Sequence, residues 1–496
     1  MYVPPPLFPK PNLPETPRWL LPVVTVVGVV AAMAVPYAPV GLGVALTAVA
    51  MGLAAWPAAR TRLSVWSVAF GLLAYALVGV ALIRDAEWVV LPSLLAAFLI
   101  AALAVSGGGR GWLSAIRGGL SVGLAVFPVP WFLAAPVKAV LKRRRLMPVL
   151  VSVTITIGLI VVFGLLFSAA DAVFSSFAND LLTAPDWADT LPLRIFLFAI
   201  FGALVAATVL VALRPVAEPR VPYNRIPVAR TLWVMPLTGL NLLFAAFVTV
   251  QITVLFGGNS RVLETAGLTY AEYARSGFFE LVTVSFFVLG VVAVGWALLE
   301  PRGELDRRIL AGLLGLLCAF TLVILASALH RLGLYTDAYG LTRLRASVGA
   351  TIWWLAAVFV LVLAAGAVRL SRHDASWLPR AMVLLTGASL LVFALWNPDA
   401  KIAETQHAVR GIDRLDADYL GGLGAEAVPA LNRLPEPTRT CVLQEIITLN
   451  HLRTPDPWNG WNQARTEARK ILQTNPLLPA PSCPRYPSRD LIPTSD

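Results

Sequence analysis

The feature that most limits this chain is a series of stretches nearly free of charge, each about as long as a bilayer is thick. They fall at 19–35, 39–56, 65–83, 88–105, 146–168, 195–213, 231–256, 278–299, 309–329, 348–368 and 379–396. A helix needs about 20 apolar residues to cross roughly 30 Å of hydrocarbon at about 1.5 Å per residue. Composition agrees: 58% of residues are hydrophobic and 14% charged, against about 45–50% and about 25% in soluble chains. Trp19, Trp56, Trp88 and Trp396 stand at the ends of stretches, where indole rings meet the membrane–water boundary. The expected fold is all-α: a polytopic transmembrane bundle of about 11 spans, with a small C-terminal helical domain outside the membrane.

A net charge of +11 raises the question of nucleic acid, and its placement argues against that. The cations sit in short loops between apolar runs, where they set topology. They form no basic face interleaved with aromatics, as a nucleic-acid footprint requires. No nucleic-acid partner is expected; membrane lipids are, and an envelope protein complex is a further candidate. The 34 Arg against five Lys, with heavy use of Ala, Val, Leu and Gly, match the product of a high-GC bacterial genome. Residues 1–18 are polar and proline-rich and lack the layout of a signal peptide, so the first span is expected to be retained.

A further run, Leu120–Pro136, is interrupted by Pro128, Pro130 and Pro136; it either spans or is re-entrant or interfacial. Charge separates these readings. If it does not span and the N-terminus is cytoplasmic, the inner loops collect Arg60, Arg62, Arg110, Arg117, Lys138, Lys142, Arg143, Arg144, Arg145, Arg214, Arg220, Arg225, Arg230, Arg302, Arg307, Arg308, Arg369, Arg372 and Arg380. The outer loops then keep only Arg84, Arg194, Arg261, Arg275, Arg331, Arg343 and Arg345. A spanning 120–136 would put the Arg214–Arg230 loop outside and the acidic loop with Asp171, Asp180, Asp186 and Asp189 inside, against the positive-inside bias. The expected arrangement is a bacterial plasma-membrane protein with a cytoplasmic tail (1–18), a transmembrane region (19–396, with 120–136 re-entrant or interfacial), an extracytoplasmic helical domain (397–474) and a proline-rich, disordered tail (475–496).

Asn397-Pro398 reads as an N-cap and first-turn proline that end one helix and begin another. Amphipathic stretches follow at 436–450 and 458–472; in the second, Ala464, Ala468, Ile471 and Leu472 share one face. Cys318 lies within a span and reads as a small hydrophobe. Cys441 and Cys483 lie in the tail on the expected oxidising side, so a disulfide and a pair of free thiols are both open.

Motifs of catalysis are missing from the pattern. The glycines at 107–111 lack the Lys-Ser/Thr ending of a phosphate loop and read as a flexible turn. His330, His373, His407 and His451 have no metal-ligand spacing, so no metal and no cofactor is expected. Few ionisable residues fall in the middle of spans, where ion relays place them. Asn241 and Gln251 read as interhelical hydrogen-bonding groups.

Two outer loops carry the candidate binding cluster: Tyr270, Glu272, Tyr273, Arg275 and Glu280 from one, and Arg331, Tyr335, Tyr339, Arg343 and Arg345 from the other. Three Arg in one outer loop need an offset, which acidic neighbours, anionic headgroups or a bound anion could each supply. The bland alternative is an ion-pair network that locks helix ends together. Glu280, just inside a span, is expected to pair with Arg275 or Arg331, because an unpaired carboxylate there is costly.

Several segments resemble a bacterial membrane family, domain of unknown function 4173, and its relative 4153: Leu166 to Phe174, Tyr270 to Glu280, Ser327 to Arg345, Asn397-Pro398 with Ala403, Asp418 to Leu420 with Ala427 to Leu431, and Trp461 to Ala468. They span most of the chain after about residue 150, and the first hundred residues fit least. The resemblance implies a polytopic envelope protein and transfers no activity and no site. The leading expectation is therefore an envelope scaffold or accessory subunit that binds a protein or anionic lipid at its outer face. The alternatives are a membrane enzyme acting on a lipid-linked or glycan substrate, with Glu280 or Glu272 as acid/base, and a transporter.

Overall fold

The computed structural model describes residues 13–60, 63–143, 146–171, 189–214, 229–256, 278–299, 303–411 and 415–479. Its helices are α1 (Leu20–Ala34), α2 (Leu42–Ala59), α3 (Val65–Ile83), α4 (Glu87–Ser106), α5 (Trp112–Ala125), α6 (Val129–Arg143), α7 (Leu146–Ala170), α8 (Leu191–Leu213), α9 (Arg230–Phe256), α10 (Phe278–Leu298), α11 (Glu304–Tyr339), α12 (Arg343–Leu370) and α13 (Leu378–Trp396). Ten of these are long and apolar enough to cross a membrane, or eleven if the bent pair α5–α6 counts as one span. All the expected spans from 39 onward have a counterpart among the ten. The first, expected over 19–35, is a helix of only 15 residues, because Pro36 and Pro39 follow it and neither can donate the amide a longer helix requires.

The helices pack as two groups. In the first, α1, α2, α4, α5, α6 and α8 share a core that includes Leu20, Val27, Ala58, Ala102, Phe132 and Val209, while α3 and α4 pack on α13 through Phe70, Leu77 and Ile100. In the second, α9, α10, α11 and α12 close around Phe244, Val288, Leu317, Leu325, Leu355 and Phe359. Helix α13 touches both groups, meeting α3 and α4 on one side and α12 on the other. Helix α7 has α6 as its main neighbour, and its 151–168 segment is buried nowhere inside the chain.

The run expected at Leu120–Pro136 is the junction of α5 and α6, bent by 48°. Its buried residues Val122, Val129 and Phe132 belong to one core with Leu20–Val27 of α1, Ala54 and Ala58 of α2, Ala102 of α4 and Val205–Ala212 of α8; in α1, α2 and α4 these lie in the halves remote from the α1–α2 and α3–α4 turns. The bent pair fits a broken span or a re-entrant loop.

Beyond α13 the chain forms a compact helical unit: α14 (Pro398–Arg410), α15 (Ala417–Gly421), α16 (Val428–Leu431), α17 (Thr438–Leu449) and α18 (Gln463–Thr474), with 3-10 turns at Ala425–Ala427 and Trp458–Gly460. It has its own core of Ile402, Leu420, Val428, Leu431, Leu443 and Ile446, against which α18 places Ala464, Ala468, Ile471 and Leu472. Asn397 takes the N-cap position of α14, its carbonyl accepting from Lys401 N (3.1 Å), but its backbone is left-handed (φ 60°) and its side chain makes no capping bond; Pro398 follows in the first turn, where its fixed φ and missing amide cost nothing. Residues 480–496 of the expected disordered tail lie outside the described residues.

Candidate functional site

The C-terminal unit sits on one end of the helical layer, and its polar groups are spent on the turns it covers. Asn462, fully buried, donates from Nδ2 to Ala81 O (2.9 Å) and Arg84 O (2.8 Å) at the end of α3, while its Oδ1 accepts from Arg465 N and caps α18. Asn459 donates to Pro36 O (3.2 Å) in the α1–α2 turn. Gly41 is needed there because a Cβ would lie 2.5 Å from Trp461 O. Arg84 donates to Ala394 O (2.7 Å) and Leu395 O (2.8 Å), adding bonds to carbonyls of the last turn of α13, where intrahelical donors run out. The α1–α2, α3–α4 and α11–α12 turns and the end of α13 thus share one face.

Beneath the unit three carboxylates converge. Asp399, fully buried in the first turn of α14, accepts from Trp88 Nε1 (3.0 Å), Gly424 N (2.8 Å), Arg343 Nε (3.2 Å) and Arg343 Nη2 (2.7 Å). Glu426 accepts from the amides of Asp85 (3.2 Å) and Ala86 (3.1 Å) at the start of α4. No cation bonds its carboxyl among the described residues. Burial, with repulsion from Asp399 and Asp85 added, pushes the Glu426 carboxyl up to about 7. Asp85 is itself raised, because burial outweighs the pull of Arg465.

Arg465, 2% exposed, is the opposite pole. It donates to Asp85, to Asp456 Oδ2 (3.0 Å), to Val40 O (3.1 Å) and to Gly460 O. Asp456 also takes two bonds from Arg469 (2.9 and 2.6 Å). Burial pushes Asp456 up, but the two guanidinium groups prevail and hold it below the usual carboxylate range. Each buried charge here is bonded, as the desolvation penalty demands.

The sequence-predicted cluster is described only in part. Tyr270, Glu272, Tyr273 and Arg275 lie outside the described residues. Glu280 stands exposed in the first turn of α10 and is in no ion pair among the described residues. Arg331, expected as its partner, donates instead to Gln251 Oε1 (2.7 Å), an acceptor shared with Ser327 Oγ (2.9 Å). Gln251 is buried and already inside the bundle, so the long Arg331 side chain reaches it from its own helix face. Tyr335, Tyr339 and Arg345 do come together: the rings are 5.0 Å apart and the guanidinium lies 4.0 Å above Tyr335 while it donates to Tyr339 O and Gly340 O. Arg343 joins Asp399 and stacks 5.7 Å over Trp88.

Of the cysteines, Cys318 is free and buried. Cys441 is disulfide-bonded, and Cys483 lies outside the described residues. No group of His, Cys, Asp or Glu among the described residues could hold a metal ion. Asp85, Asp399, Glu426, Asp456 and Arg465 were not singled out by the sequence. The one available signal was a charged residue directly at the end of an apolar run, as in Arg84-Asp85 and Pro398-Asp399.

Long apolar helices arranged in two packed groups, with a polar helical unit bonded onto one end, define a polytopic α-helical membrane protein. The chain belongs to the family described as Domain of unknown function (DUF4153), whose model matches residues 71–434. The match begins well before the expected start near residue 150; it takes in most of α3, the turn with Asp85 and α4 with Trp88, along with Arg343, Asp399 and Glu426. It ends before Asp456 and Arg465. No curated protein and no solved structure matches the chain.

Proposed function

We propose that this protein is a non-catalytic scaffold or accessory subunit of the plasma membrane, with the C-terminal unit on the extracytoplasmic face as its platform for a protein partner. The carrying observation is what happens to the arginines of that face. Arg84, Arg194, Arg331, Arg343 and Arg345 all donate to carbonyl, amide or carboxylate oxygens of the chain itself. Groups committed in this way brace the fold and leave little to grip a phosphate, which weakens both the anionic-lipid and the enzyme versions of the cluster. The short loops of that face have few cations, which supports an outer placement.

One observation favours the enzyme reading. A carboxyl with a neutral-range pKa, as at Glu426, suits general acid–base work. Its two oxygens are nevertheless held by the amides of α4, which argues for a structural role. Isolation in native nanodiscs followed by mass spectrometry tests the scaffold reading. A defined protein partner at constant stoichiometry supports it, and recovery of a bare monomer counts against it.

A further inference from the structure

The geometry points to an aromatic edge of the C-terminal unit that is immersed in the bilayer interface: we propose that Trp458 and Trp461 contact lipid at the boundary between headgroups and acyl chains. The inference rests on the membrane-spanning reading of the helices alone and is independent of any partner. Trp458 is 60% exposed and Trp461 43% exposed. Large aromatics left open on a polar unit need a cover, because exposed indole surface costs free energy in water.

Their height is fixed by backbone bonds. Trp461 O accepts from Leu42 N (3.0 Å), the first residue of α2, and Asn459 between the two indoles bonds Pro36 O. Both tryptophans therefore lie at the level where α1 and α2 leave the apolar layer. At that same level Met33 on α1 and Leu46 on α2 are exposed, and side chains exposed on a spanning helix face hydrocarbon. Tyr37 completes the edge, with Arg194 stacked 5.9 Å over its ring and donating to Ala32 O (3.1 Å). Trp and Tyr at the end of spans match the interfacial zone, where an apolar body and a polar tip are satisfied together. Continuity with the open flanks of α1 and α2 selects lipid as the occupant over a soluble partner.

The test uses the full chain with p-benzoylphenylalanine placed singly at 458 and 461, reconstituted in nanodiscs of phosphatidylcholine and phosphatidylglycerol. The same probe at Met33 and at exposed Lys470 gives the two references. After irradiation, mass spectrometry should find lipid adducts at 458 and 461 within about threefold of those at 33, and at least about tenfold above those at 470. Adducts joining 458 or 461 to another protein chain would overturn the proposal. So would lipid adducts no higher than at 470. Lipid absent from position 33 as well would remove the membrane boundary on which the inference stands.

Discussion

Arg343 and Asp399 form a two-point ion pair, 3.2 and 2.7 Å, that ties the start of α12 to the start of α14 while Trp88 of α4 shares the same carboxylate. One buried acid thus joins both helix groups to the C-terminal unit. Replacing it leaves Arg343 without its counter-ion and two donors without an acceptor. Breaking a buried pair costs about 3–5 kcal/mol. Arg343 keeps a side-chain exposure of 35%, so the lower end applies. Asp399→Ala should destabilise by about 3 kcal/mol and release the C-terminal unit to limited proteolysis ahead of the spans. An unchanged unfolding temperature in detergent would show that the pair ties nothing.

Glu426 makes the seam pH-dependent, and the sign follows from its direction. Its folded value, about 7, is above the ordinary 4.5. Between those values the folded state binds the extra proton, so stability falls as pH rises. The contribution is complete below about pH 4.5 and gone above about pH 7, on the order of 3 kcal/mol in all. Asp85 adds the same sign. Asp456 is depressed and acts oppositely, losing its contribution only as pH falls below the ordinary 3.8. Thermal midpoints measured from pH 5 to 8 should decline for the natural chain and stay nearly level for Glu426→Gln. Parallel curves would remove Glu426 as the cause.

How far the sequence discloses all this depends on whether the signal is local. Apolar runs are local, so most spans emerge with their register. Their ends do not: α11 runs from Glu304 to Tyr339, well past the apolar stretch 309–329, because a helix continues through charged turns beyond the hydrocarbon. The first helix stops short for an equally local reason, the prolines after Ala34. The seam is the opposite case. Arg465 and Asp85 are 380 positions apart, and neither has a pattern around it that forecasts the other. Arg343 is conspicuous as an outer cation, but its partner is Asp399 from the next unit, while Glu280 stands exposed. Asp399 lies one residue after Pro398, where a carboxylate favours a helix start, so the local reading sees a cap residue and misses a bridge.

The cysteines give a simpler expectation. Cys441 is bonded, and Cys483 is expected as its partner. Such a bridge would close a loop of about 40 residues and stabilise the unit by roughly 3–4 kcal/mol in the chain-entropy model. Non-reducing peptide mapping should recover the two cysteine peptides as one species. Recovery of both as alkylated free thiols would rule the bridge out.

Topology is the last expectation, and the packing of α5–α6 sharpens it. Val129 and Phe132 share their core with Leu20–Val27 of α1, Ala54 and Ala58 of α2, Ala102 of α4 and Val205–Ala212 of α8, all in the halves remote from the C-terminal unit. A segment confined to one half of the layer enters and leaves on the same side, so Arg110 and Lys138 should share a compartment. The same remote end carries the Arg372–Glu304 and Arg230–Asp306 pairs, together with Arg380 bonded to Gly108 O. This basic side is the one the positive-inside bias assigns to the cytoplasm. Single cysteines introduced near Lys138 and in the 214–230 loop should resist an impermeant maleimide in intact cells and react after permeabilisation. A cysteine at exposed Lys470 should react without permeabilisation. If 138 and the 214–230 loop both label from outside, α5–α6 crosses the membrane and the packing has been misread. If Lys470 stays protected, the C-terminal unit is cytoplasmic and the proposed platform faces the wrong way.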